Sequence, residues 1–251
     1  MFIERLRVTN FRSSRELDLE VRYSGGTTKM RASSLMRVVR KQILPLLPNF
    51  KYKPTTILYA TPVDMVLRAF YFQTSYLDKE AFTVWVFAQP LYVPCDHFVL
   101  NIGGRLGWFQ RGEEIWWRWR PNDAELEKQV MQEVYWYIQK HGLPFLERVR
   151  TPNDIIWWID KKSTNPRDVH YQETKAYSYV LVGDYRRALQ ILSRLYTELR
   201  HDEPNYPWMG EMAERVSLIQ SLLEQSPEAA IQQLHEWRNW TLTKLRLEKE
   251  I

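Results

Sequence analysis

Apolar residues change their period at Pro121. Before it they fall in short β-rich runs, Thr56–Ala60, Val66–Gln73, Phe82–Ala88 and His97–Ile102, separated by turn chemistry at Thr61-Pro62-Val63-Asp64, Ser75-Tyr76-Leu77-Asp78 and Gln89–Pro94. After it they recur at helical spacing almost to the C-terminus. Strands joined by short connections pair antiparallel, because a parallel pair needs a crossover of about a dozen residues. Strands followed by helices make the fold class α+β: a small antiparallel sheet with a packed helix, followed by an all-α helical bundle. The expected domains are 1–29, an N-terminal β-hairpin and linker; 30–120, the sheet domain; and 121–251, the helical domain.

The centre of the sheet is expected in Ala81–Trp108. Pro90 and Pro94 cannot donate to a ladder, so Leu91–Val93 is an edge or crossing segment. Gly103, Gly104 and Gly107 then let the chain leave the sheet. Upstream, Leu35, Val39, Ile43 and Leu46 mark a helix over Ala32–Leu47, capped by Ser33 or Ser34 and closed by Pro45 and Pro48. Glu113–Arg120 fits two descriptions. It is either a last strand with Ile115, Trp117 and Trp119 facing inward, or the first turns of the next helix.

The helical half carries its own punctuation. Asn122 or Asp123 caps a helix with the stripe Leu126, Val130, Val134, Ile138, closing near His141-Gly142. Thr151-Pro152 and Ser226-Pro227 each place a hydroxyl cap before a proline at the first helical position. Asn165-Pro166 breaks the helix that Thr151 opens. A helix through Gly210–Gln225 and a last one to about Glu248 complete the series.

Composition excludes several classes. No apolar run approaches the roughly 18 residues of a membrane span. The opening MFIERLRVTN has no signal-peptide core, which places the chain in the cytoplasm, most naturally of a bacterium. One cysteine rules out an internal disulfide and a cysteine-rich zinc site. The five histidines, His97, His141, His170, His201 and His235, never pair within a helical turn, so no metal is expected. The 11 Trp are spread along the chain, which argues for seams between elements and against a single aromatic cage. Charge is uneven. Residues 1–50 hold ten Lys and Arg against four acids, a net +6, in a chain whose total is +5.

Two stretches resemble known families. MFIERLRVTNFRSSRELDLEV, residues 1–21, resembles the opening hairpin of RecF/SMC-type ABC ATPases. That resemblance implies a phosphate loop of the form GxxxxGK[ST] soon afterwards. The chain has Ser24-Gly25-Gly26-Thr27-Thr28-Lys29 instead, which cannot place a Lys and a hydroxyl on phosphates and Mg²⁺. Residues 176–192, with Gly183-Asp184-Tyr185 and Ala188, resemble a single tetratricopeptide-type helical hairpin. No 34-residue recurrence accompanies it, so it implies one antiparallel helix pair and not an array. The remainder is similar, loosely, to uncharacterised bacterial proteins with a Pro-Leu-Tyr-x-Pro crossing.

The candidate chemistry is sparse. Cys95 and His97 flank Asp96 and would share a face if they lay on a strand, the arrangement a thiolate–imidazolium hydrolase needs. Glu173-Thr174-Lys175 matches half of a restriction-type nuclease motif but sits in an expected helix. Trp116-Trp117 and Trp119, interleaved with Arg118 and Arg120, suit either base stacking or core packing. Arg31, Arg37, Arg40 and Lys41 form a basic side on the first helix, the candidate nucleic-acid contact. The expectation is a non-enzymatic interaction protein, an adaptor or accessory factor with a protein partner and no cofactor. The alternatives are a nucleic-acid-associated accessory factor using residues 1–50, and a Cys/His hydrolase.

Overall fold

The computed structural model describes residues 27–78, 80–120, 123–162 and 168–247, and the expected hairpin of residues 1–29 falls almost wholly outside them. The described chain divides into two compact units, one of residues 27–89 and 97–148, the other of residues 90–96 and 149–247.

The first unit opens with helix α1, Thr27–Gln42, followed by a 3-10 turn at Leu44–Leu46. The helix starts earlier and stops sooner than its sequence suggests. Ser33 and Ser34 lie inside it, and the residues around Pro45 form the tighter turn because proline lacks an N–H and restricts the residue before it. Its apolar side, Leu35, Met36, Val38, Val39 and Ile43, is buried.

The sheet has six strands: β1 Phe50–Lys53, β2 Ile57–Ala60, β3 Val66–Thr74, β4 Ala81–Pro90, β5 Ile102–Arg105 and β6 Trp117–Arg118. Their order is β1-β2-β3-β4-β5, with β6 also on β4, and the pairs β1–β2, β2–β3, β4–β5 and β4–β6 are antiparallel. Three of the four expected strands appear close to their expected bounds. Within Glu113–Arg120 only Trp117–Arg118 is strand and no residue is helical; Trp117 and Trp119 are buried, Trp116, Arg118 and Arg120 exposed, and Ile115, expected inward, is half-buried. β1 has no counterpart in the sequence analysis. FKYK is only two periods long and boxed by Pro48 and Pro54, too short to stand out.

The fourth expected strand is displaced. Residues 97–101 are not strand, and β5 begins at Ile102, so Gly103 and Gly104 lie within the ladder instead of ending it. Two facts explain this. The Gln89 side chain stands in for a ladder, donating to the His97 carbonyl at 3.0 Å and accepting from the Val99 N–H at 3.1 Å. Gly103, opposite Phe87, has φ +138°, and a Cβ there would stand 2.1 Å from the Val86 carbonyl oxygen. Only glycine fits so close to the β4 backbone.

A short helix α2, Trp108–Arg111, then α3, Ala124–Tyr137, and α4, Leu143–Glu147, complete this unit. Asp123 caps α3 by accepting from the Leu126 N–H at 3.1 Å. The helix does not close at Gly142. It passes through a π turn, Ile138–Gly142, into α4, and Gly142 serves packing, since a Cβ there would be 2.5 Å from the Phe70 ring. Phe82 and Trp117, paired across β4 and β6, meet with tilted rings at 5.9 Å, and Trp117 meets Tyr137 of α3 edge-on at 5.6 Å.

The described residues of the second unit form five helices: α5 Pro152–Lys162, α6 Val169–Leu181, α7 Tyr185–Asp202, α8 Trp208–Gln225 and α9 Pro227–Leu245. Asn165-Pro166 lies outside the described residues. The expected caps are present: Thr151 and Asp154 bond reciprocally at the start of α5, and Ser226 accepts from the Ala229 N–H at the start of α9. Gly183, at φ +83°, and the Asp184 cap make the short turn from α6 to α7. α7 buries one stripe, Ala188, Leu192, Leu195 and Leu199. α6 is buried on nearly all sides and packs against α5, α7, α8 and α9, which makes it the axis of the unit.

Candidate interaction surfaces

A helix buried all round should be apolar, yet α6 buries Glu173, Thr174 and Ser178. Glu173 and Ser178 are satisfied from within the unit. The Glu173 carboxylate, on a residue 1% exposed, accepts from the Tyr177 hydroxyl and from Arg215 Nε, both at 3.1 Å. Burial pulls the Arg215 guanidinium down, but the facing Glu173 charge and hydrogen bond outweigh it and the net shift is upward. Lys175 bonds Asp160. The Glu173–Lys175 pattern therefore serves helix packing, and its carboxylate is committed to the Arg215 guanidinium rather than offered to a metal ion.

Residues 90–96 join the helices as a strap of turns and bends. Leu91 and Tyr92 are fully buried. The Tyr92 and Ser178 hydroxyls are 2.6 Å apart, Ser178 Oγ lies 2.7 Å from the Thr174 carbonyl, and the Cys95 N–H donates to Thr241 Oγ1 at 3.3 Å. Burial drives the Tyr92 phenol well above its ordinary range, against a smaller opposing effect of the Ser178 hydrogen bond. The crossing segment marked by its two prolines is thus held by an aromatic anchor and backbone bonds, not by an edge ladder.

On the outside of this unit, Trp157 of α5 and Trp240 of α9 are 47% and 43% exposed. Lys244 lies over the Trp240 ring at 5.3 Å. Leu218 of α8 is also exposed. Periodicity did not single these residues out, because a Trp off the apolar stripe reads the same as a Trp at a seam.

In the first unit, Arg37, Arg40 and Lys41 all lie on the exposed side of α1. The Arg40 guanidinium sits 4.9 Å from the centroid of the Tyr52 ring on β1. Among the described residues none of the three is ion-paired to a carboxylate, whereas Arg68 meets Glu147, Arg118 meets Asp78 and Arg120 meets Glu80. Arg31 belongs to the same helix, and its side chain is outside the described set. The tryptophan ladder is not a stacking platform: Trp117 and Trp119 are core residues, and Arg118 and Arg120 are held by carboxylates. Arg105 emerges only in three dimensions. Its guanidinium lies over the rings of Trp85 and Trp116 and pairs with Glu114.

Cys95 and His97 do not lie on a strand. They occupy a bend with Asp96, and the bend brings thiol, carboxylate and imidazole atoms within 4.8 Å of one another. Sharing a strand face is therefore not what brings this thiol and imidazole together. No helix among the described residues is long and apolar enough to cross a membrane.

No protein-family description, no curated protein and no solved structure matches this chain.

Proposed function

We propose that the chain is a non-enzymatic interaction protein of the bacterial cytoplasm, an adaptor or accessory factor whose helical unit docks a protein partner through indole anchors. One observation carries this: Trp157 and Trp240 stand nearly half exposed on helices whose remaining large apolar residues are mostly buried. Tryptophan is the residue type most enriched where binding energy concentrates, because one side chain brings a large apolar area and a donor at little conformational cost. The rigid polar lock inside α6 supports the reading, since anchors bind best from a scaffold that does not rearrange.

The test uses the full chain and a Trp157→Ser/Trp240→Ser double variant, each expressed at native level and purified by an affinity tag. A partner should accompany the wild type in near-stoichiometric yield and be lost from the double variant, with far-UV circular dichroism and Tm unchanged. A partner retained by a folded double variant, or a wild type that purifies alone, overturns the proposal.

A further inference from the structure

We infer that the exposed side of α1 is a nucleic-acid contact that grips the phosphodiester backbone through Arg37, Arg40 and Lys41, without reading bases. Three observations lead there. The first is spacing. Positions i, i+3 and i+4 place the three cations on one side of the helix, with Arg37 and Lys41 about 6 Å apart along its axis, close to two steps of about 3.4 Å along one strand of a duplex.

The second is the absence of carboxylate partners among the described residues, in a unit where Arg68, Arg105, Arg118 and Arg120 all have them. The helix dipole accounts for placing Arg40 and Lys41 in the last turn, but not for Arg37. The third is that the planar Arg40 guanidinium, on an exposed residue, is braced on the Tyr52 ring of β1.

The same residues argue against other anionic partners. A helix that lies in a membrane surface inserts its apolar side, and here Leu35, Met36, Val38, Val39 and Ile43 are no more than 5% exposed, already committed to the core. A protein partner would need an anchor, and the exposed residues between positions 32 and 42 are Ser33, Arg37, Arg40 and Lys41. Backbone contact needs only cations with room to release counterions.

The experiment is fluorescence anisotropy of the full chain with a labelled 20-nucleotide single strand and a 20-base-pair duplex of mixed sequence. With three contacts at about −0.7 each, single-strand affinity should fall about 20-fold between 50 and 200 mM salt. Arg37→Ala/Arg40→Ala/Lys41→Ala should weaken binding at least tenfold at low salt and flatten the salt dependence. Arg37→Lys/Arg40→Lys should retain most of the affinity. Arg186→Ala/Arg194→Ala, which removes two exposed cations of α7, should leave it unchanged. The inference is overturned by wild-type protein with no salt-sensitive affinity, by a folded triple variant that binds as wild type, or by an α7 variant that loses as much as the triple. Tighter binding to phosphatidylserine vesicles than to either oligonucleotide, lost in the triple variant, would overturn it in favour of a lipid surface.

Discussion

The Tyr92 hydroxyl donates to Ser178 across 2.6 Å in the interior of the helical unit. The direction follows from the proton count: Ser178 has one O–H and directs it to the Thr174 carbonyl at 2.7 Å, so Tyr92 must be the donor. The two partners are therefore not equivalent. Tyr92→Phe leaves Ser178 satisfied and should cost about 1 kcal/mol. Ser178→Ala strands a fully buried phenol O–H and should cost about 2–3 kcal/mol. Urea denaturation of the two single variants would reveal the asymmetry, and equal losses would contradict the donor assignment.

Glu173 and Arg215 should show the behaviour of a buried pair. Arg215→Ala leaves a carboxylate without its main partner and should destabilise by about 3 kcal/mol or more. Glu173→Leu/Arg215→Leu removes both charges and should recover most of that loss. A double variant less stable than Arg215→Ala would mean that the pair contributes net stability beyond mutual neutralisation.

Three tyrosines make the protein sensitive to alkali. Burial raises Tyr92 and Tyr177 well above their ordinary range, and burial with the nearby Asp168 charge pushes Tyr171 up to about 12. Raised folded-state values mean that the native protein keeps protons the unfolded chain has lost. Stability should be level below about pH 10 and fall above it, by about 1.4 kcal/mol per pH unit for each tyrosine until its own folded-state value is reached. Denaturant midpoints between about pH 9 and about pH 11 would test this. Tyr92→Phe should make the decline shallower by one tyrosine's share.

Gly103 and Gly112 both have positive φ, but only Gly103 is crowded. Gly103→Ala should cost at least about 3 kcal/mol, because backbone strain adds to overlap with the Val86 carbonyl. Gly112→Ala, with nothing near its Cβ position, should cost about 1–2 kcal/mol from the left-handed conformation alone. Thermal melts of the two variants would separate the effects, and similar Tm values would count against the close approach of β5 to β4.

Glu113–Arg120 shows where local pattern stops. Its alternation was visible, but strand and helix start differ only in whether a partner accepts the pairing. β4 does so, setting Phe82 opposite Trp117. The displaced β5 has the same cause. His97–Ile102 has β-forming residues, yet the Gln89 side chain holds that backbone, and the ladder begins where glycine permits close approach. The candidate surfaces divide likewise. The basic side of α1 was legible because helical spacing fixes which residues share a side. Its lack of carboxylate partners among the described residues, and the exposure of Trp157 and Trp240, were not.

By itself, the sequence determined the α+β class, the approximate bounds of most long helices, the caps at Asp123, Thr151 and Ser226, and the prolines that take the chain out of the sheet. These follow from period, φ restriction and local hydrogen bonding, all properties of neighbours along the chain. Tertiary structure alone decided that α6 would bury a carboxylate, that Arg215 would neutralise it from 42 residues away, and that Tyr92 would reach Ser178 over a separation of 86 residues. A buried polar group is stable only with a partner, and which distant residue supplies it is settled when the helices pack.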